Sequence, residues 1–290
     1  VWKGIAEGLN YGLGFMVIFM LHFTVATKQP AMTAARFAEA VEKTPQGKTV
    51  NMKLAQLLVD VFRSQSIAVL GNVLIAMGLA ALIAFGYQYK TGEPLMNADQ
   101  IAYQLHSIAP FAGTLWFAAI AGVWLFCSGI ISGYFDNRSN YLNMRMRLVQ
   151  HPLLKKLMSE KTRVKFANYM HENYGSLIGN LCFGMLLGIT GVVGYLTHLP
   201  LDIRHVAFSS ANVGYIAVSG QFTYSLLLQC ISFVLLIGLV NLIVSFSLTL
   251  WVALRSLNAE IDSWWPIWHE VCQIVKKRPL SLFLPVQLDK

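Results

Sequence analysis

The sequence predicts an all-α fold: a polytopic transmembrane helix bundle of about five spans, with amphipathic helices in its cytoplasmic loops. Three observations predict it. Of the 290 residues, 56% are hydrophobic and only 12% charged, against about 25% charged in ordinary soluble domains. The charges are missing from whole segments rather than thinned everywhere, as a hydrocarbon core requires. Lys and Arg, finally, crowd into alternate connections between those segments.

A spanning helix needs about 20 mostly apolar residues. Five stretches qualify, about 5–26, 66–88, 111–134, 176–198 and 226–254. The last would be about 43 Å long at ~1.5 Å per residue, so it should tilt or project past a core of about 30 Å. Lys and Arg in successive connections number one, six, one, eight, one and five, the single ones being Lys3, Lys90 and Arg204. Cytoplasmic connections carry the excess. The start of the chain is therefore expected outside, the bundle over 1–255, and a cytoplasmic interfacial tail over 256–290, in a bacterial inner membrane. The connection holding Arg204 is expected outside, with His106, His198 and His205 at or near the outer interface. No signal peptide is legible, because Lys3 and Glu7 precede a span without a suitable cleavage site. A chain that opens Val1-Trp2-Lys3 is expected to lack an upstream part.

The cytoplasmic connections read as helical. Asn51 can cap a helix whose Leu54, Leu57, Leu58, Val61 and Phe62 fall on one stripe, against the bilayer or another helix, before running into the second span. Pro45-Gln46-Gly47 separates it from an earlier helix around 34–41. Pro152 suits the first turn of a helix, and 153–173 continue in helical composition up to Gly175. Trp264, Trp265 and Trp268 in the tail read as an interfacial belt.

Glycines recur at four-residue steps: Gly4, Gly8 and Gly12; Gly129 and Gly133; Gly175 and Gly179; Gly184 and Gly188. In lipid such positions drive close helix packing, within one bundle or between copies of the chain. At the oriented depths, His22, Asn72, Ser128, Asn180, Asn241 and Ser245 gather in the cytoplasmic half of the membrane. Polar side chains there turn away from lipid, toward interhelical hydrogen bonds or a polar cavity. Just beyond the third span, Arg138, Tyr141 and Arg145 fall at helical spacing, followed by Arg147. Arginine forks match phosphate, so this face is a candidate for anionic lipid headgroups, with a solvated loop as the plainer alternative. Glu7, with Asn10 a turn below, either reaches headgroups or serves a cation path.

No nucleotide-binding glycine loop, H-E-x-x-H or G-x-S-x-G motif occurs. Cys127, Cys182, Cys230 and Cys272 sit singly, which indicates neither a zinc site nor a disulfide framework. No catalytic residue, metal or cofactor is expected.

The stretches KGIAEGLNYGLGF, FTVATKQPAMTAARFAEAV, QLHSIAPFAGTLWFAAIAGVWLFCSGIISGYFDNRSNYLNMRMRL and SLTLWVALRSLNAEIDSWW resemble a proteobacterial inner-membrane family that carries the name site-specific recombinase, of the gonococcal type. The likeness covers nearly the whole chain, and FDNRSNYLNMRMRL is its most specific part. It implies an inner-membrane location and, through its name, DNA strand exchange. The residues themselves point to a non-enzymatic bundle, transporter-like or lipid-engaging, with a basic cytoplasmic face. Membrane lipids, mostly anionic, are the expected partners, with a homo-oligomer through the glycine faces as a further one and nucleic acid not expected. The alternatives are a membrane-anchored part of a recombinase and a membrane scaffold.

Overall fold

A computed structural model describes residues 2–21, 34, 37–41, 48–220, 223–258, 261 and 263–282. Among these residues every regular element is a helix. They are α1 (Trp2–Met20), α2 (Lys48–Thr91), α3 (Ala98–Ile108), α4 (Leu115–Tyr141), α5 (Met144–Gln150), α6 (Pro152–Leu157), α7 (Glu160–Thr197), α8 (Val206–Ala217), α9 (Tyr224–Ser256) and α10 (Trp265–Lys277). A π-helical turn over Pro110–Thr114 precedes α4, and a 3₁₀ turn over Pro279–Leu282 follows α10.

Four helices are long and apolar enough to cross a membrane: Asn51–Thr91, Leu115–Tyr141, Glu160–Thr197 and Tyr224–Ser256. They contain or closely overlap four of the expected spans. The first expected span corresponds to a shorter apolar helix, Gly4–Met20, and its continuation to residue 26 lies outside the described residues. The helix limits follow local chemistry. Asn97 and Gln100 form a reciprocal capping box at the start of α3. Ser159 caps α7 and Thr223 caps α9 through their hydroxyls. Pro152 occupies the first turn of α6.

The chain divides into two units. The first comprises Val1–Ala31 and Trp124–Leu201. Here α1 lies on α7 through glycines: a Cβ on Gly184 would stand 2.0 Å from the Gly12 nitrogen, and one on Gly188 would stand 2.3 Å from the Gly8 Cα. The glycine steps thus serve packing within the chain. Gly175 and Gly179 do the same for α4, meeting Ser132 and Ser128, while Gly133 faces open space. Trp124 donates to the Thr190 hydroxyl at 2.8 Å, which joins α4 to α7 a second time. The outer side of α1 exposes Ile5, Leu9, Leu13 and Val17, four residues apart, the stripe a lipid-facing helix presents.

The second unit comprises Met32–Val123 and Asp202–Lys290, so α4 supplies its first residues here. It holds two apolar clusters. In one, Val73 of α2, Ile108, Ala118, Val206 and Val213 pack with Cys230, Val234 and Ile237 of α9. In the other, Leu54 and Ala55 of α2 meet Leu250 of α9, Ile267 of α10, and Ala34 and Phe37. Of the apolar stripe at the start of α2, Leu54, Leu57 and Leu58 pack in this cluster, whereas Phe62 is exposed. Farther along α2, Leu74, Leu79, Leu82, Ile83 and Phe85 are exposed.

Candidate functional site

The densest polar arrangement among the described residues surrounds Asn241, near the middle of the 33-residue α9 and 2% exposed. Its Nδ2 donates to the Ala118 carbonyl of α4 at 2.7 Å and to the Arg204 carbonyl at 3.0 Å. Its Oδ1 accepts from the Val206 backbone N–H at 3.2 Å. One amide thereby contacts backbone groups on α4 and on the run Arg204–Val206 that leads into α8. Gly122 permits the approach: a Cβ there would lie 2.9 Å from the Asn241 carbonyl oxygen and 2.8 Å from Val244 Cβ.

Arg204 forms the second half of this hub. Its Nε donates to the Ser107 carbonyl at the end of α3, at 2.9 Å, where a cation also meets the negative end of the helix. Its guanidinium pairs with Asp202 at 2.6 Å, donates to the Ile203 carbonyl at 2.8 Å, and lies over the Phe117 ring. Its backbone N–H donates to the Phe117 carbonyl. Thr114 donates to the Ser107 and Ala109 carbonyls across the π turn. Asn212 of α8 donates to Gln104 of α3 at 2.8 Å. His205 is buried beside Arg204, and its Nδ1 accepts from the Ala207 N–H at 3.4 Å. Burial pushes the imidazole down to about 4, so it is neutral at neutral pH and free to accept that bond.

The connection carrying Arg204, expected outside, folds from Asp202 onward against the middle of α9. From there α8 runs along α2, where a Cβ on Gly214 would stand 2.2 Å from the Met77 carbonyl oxygen. Ser209 is only 3% exposed. Asp202, two residues away, pairs with the charge of Arg204.

The six residues of the expected polar layer fall as follows. His22 lies outside the described residues. Ser128 and Asn180 are fully buried in the first unit, and the Ser128 and Ser132 hydroxyls have no hydrogen-bond partner. In the second unit, Asn72 is half-buried and Ser245 is buried one turn beyond Asn241. The partners of Asn241 named above belong to α4 and to the connection before α8, residues that depth alone did not select.

The expected basic face is also rearranged. α4 ends at Tyr141, and Asn143 adopts φ 48°, a left-handed conformation that asparagine tolerates better than most residues. The chain turns there before α5, so Arg138 and Tyr141 do not share a single helix face with Arg145. Arg138 donates to the Tyr134 hydroxyl at 3.1 Å, and Arg145 donates to Asn168 Oδ1 on α7. Tyr141 is 86% exposed, and Arg147 is exposed in the last turn of α5. The helical run expected over 153–173 breaks between Leu157 and Glu160. Behind this face, Ser139 Oγ lies 3.1 Å from His171 Nδ1, and Asp136 accepts from the Gly175 N–H at 3.0 Å. Ser139 is 1% exposed, which suits a clamp between α4 and α7 rather than a nucleophile. Among the described residues no group of three His, Cys, Asp or Glu is placed to hold a metal ion.

In comparisons with known proteins, the family model described as "Site-specific recombinase" matches residues 1–285. No curated protein and no solved structure matches.

Proposed function

The chain belongs to the site-specific recombinase family, and from that premise we propose that it is a five-span inner-membrane protein that engages anionic lipid through a basic cytoplasmic face. The observation that carries this reading is the surface formed by the end of α4 with α5 and α6. There the exposed apolar side chains Tyr141, Met146, Leu153 and Leu157 alternate with exposed Arg138, Arg145, Arg147, Lys155 and Lys156. Apolar contact together with guanidinium and ammonium groups is the chemistry an anionic interface selects. Support for a fifth span comes from α1, whose 19 residues extend about 28 Å at ~1.5 Å per residue. The alternating Lys and Arg counts support a start outside and a cytoplasmic tail.

The hub at Asn241 favours a second reading, a bundle that handles a solute. Transporter sites form where discontinuous helices meet near mid-membrane, and α3, α4 and α8 all begin or end beside Asn241 and Arg204. The family description suggests a third, recombination of DNA. Replacing Arg138, Arg145 and Arg147 with Gln separates the readings. Binding to phosphatidylglycerol vesicles should fall at least tenfold, and the affinity of the unaltered protein should drop with salt. Duplex DNA should bind only weakly and without sequence preference. Unchanged vesicle binding would defeat the lipid reading. Strand cleavage lost on Tyr141→Phe would establish recombination instead.

A further inference from the structure

We propose that α10 is a membrane anchor, with its outer face seated in the headgroup region of an anionic leaflet on the side where α9 ends. The helix is two-sided. Ile267, Val271 and Ile274 pack into the cluster formed with Leu54 of α2 and with Leu250 and Leu254 of α9. The opposite side exposes Trp265, Trp268, His269, Cys272 and Lys276, which follow one another at helical spacing. Trp265 is 79% and Trp268 52% exposed. Two tryptophans a turn apart on open surface are costly in water, whereas their flat, amphipathic rings suit a membrane–water interface.

Level and charge identify the occupant. The cluster that holds the inner side of α10 includes Leu250 and Leu254 of α9, which flank Trp251, 60% exposed with Arg255 over its ring at 5.7 Å. An exposed aromatic and a basic residue at the end of an apolar helix mark its exit from the bilayer. At the far end of α10, Lys276, Lys277 and Arg278 are all exposed, and they offer three cations to lipid phosphates. Trp264, stacked on Phe37 at 6.0 Å between centroids, fixes the start of the helix. The inference rests on the membrane reading above but uses no residue of the α4–α6 face.

Cys272 provides the probe. Cys127, Cys182 and Cys230 are replaced by Ala, Cys272 is labelled with an environment-sensitive fluorophore, and the full chain is reconstituted in phosphatidylethanolamine–phosphatidylglycerol vesicles. Lipid carrying a nitroxide near the headgroup should quench the probe at least threefold more strongly than aqueous iodide. Trp265→Ser with Trp268→Ser should reverse that preference. Replacing Lys276, Lys277 and Arg278 with Gln should abolish its dependence on phosphatidylglycerol content. Stronger quenching by iodide in the otherwise unaltered protein would place the face in water and overturn the proposal. Protection from both quenchers would mean that protein covers the face, and would overturn it equally. Co-flotation with vesicles after alkaline extraction scores the membrane reading separately.

Discussion

Replacing Asn241 with Leu tests the hub directly. Leu has the same branched shape and number of side-chain heavy atoms as Asn but is bulkier, so the change removes the hydrogen bonds and adds some overpacking. Ala118 lies inside α4 and its carbonyl keeps an intrahelical partner, but the Val206 N–H and the Arg204 carbonyl lose their Asn241 contacts. A buried group without a partner costs about 1–3 kcal/mol, so the two together set an upper range of ~2–6 kcal/mol. Interhelical hydrogen bonds in bilayers average about 0.6 kcal/mol, so three of them set a lower bound near 2 kcal/mol. The expected loss is therefore about 2–5 kcal/mol. Unfolding in mixed micelles by titration with dodecyl sulfate measures it. Ser232→Ala on the same helix is the control, because Ser232 is exposed and its hydroxyl donates to the carbonyl of Leu228 one turn back. Asn241→Asp should cost at least as much as Asn241→Leu at neutral pH, since a buried carboxylate would face the Ala118 and Arg204 carbonyls with no donor to offer them. If Asn241→Leu costs no more than Ser232→Ala, the hub does not hold these segments and the reasoning fails.

Three further outcomes follow from the same structure. In a chain without its native cysteines, Thr91→Cys and Tyr224→Cys should react with an impermeant maleimide from outside and Lys156→Cys should not; the reverse pattern would overturn the orientation. Gly184→Ala should separate α1 from α7, because its Cβ would meet the Gly12 backbone, and should lower the thermal midpoint by several degrees. Gly133→Ala, with nothing within 4 Å, should be neutral or slightly stabilising, and equal effects at the two sites would refute the packing assignment. His205 is held below its ordinary value by burial, so the unfolded chain takes up a proton before the folded one does. Stability should then decline as pH falls from about 6.5 toward 4. His205→Gln should flatten that decline, and an unaltered pH profile would show that His205 does not cause it.

Helix existence and length were legible in the sequence because a hydrocarbon core imposes one requirement on every spanning segment: about 20 apolar residues with their backbone satisfied internally. Among the described residues the apolar stretches therefore fall largely within helices, and Pro152 opens one where local sterics require it. Glycine spacing marked the faces of α1 and α7 that touch, since only missing side chains let backbones approach so closely. Tertiary structure alone decided which groups met. Depth along a helix can be counted from its ends, but rotation about its axis cannot. Asn241 was thus recognisable as an amide in the middle of an apolar helix while its partners were not. Charge counting placed the Arg204 connection outside because it carries one basic residue between connections rich in them. It did not show that Asp202, the Ser107 carbonyl and the Phe117 ring would engage its guanidinium. Likewise, only the backbone shows that Asn143 turns the chain and divides the expected arginine face between two helices, because a left-handed residue costs asparagine little and leaves no mark on the helical spacing around it.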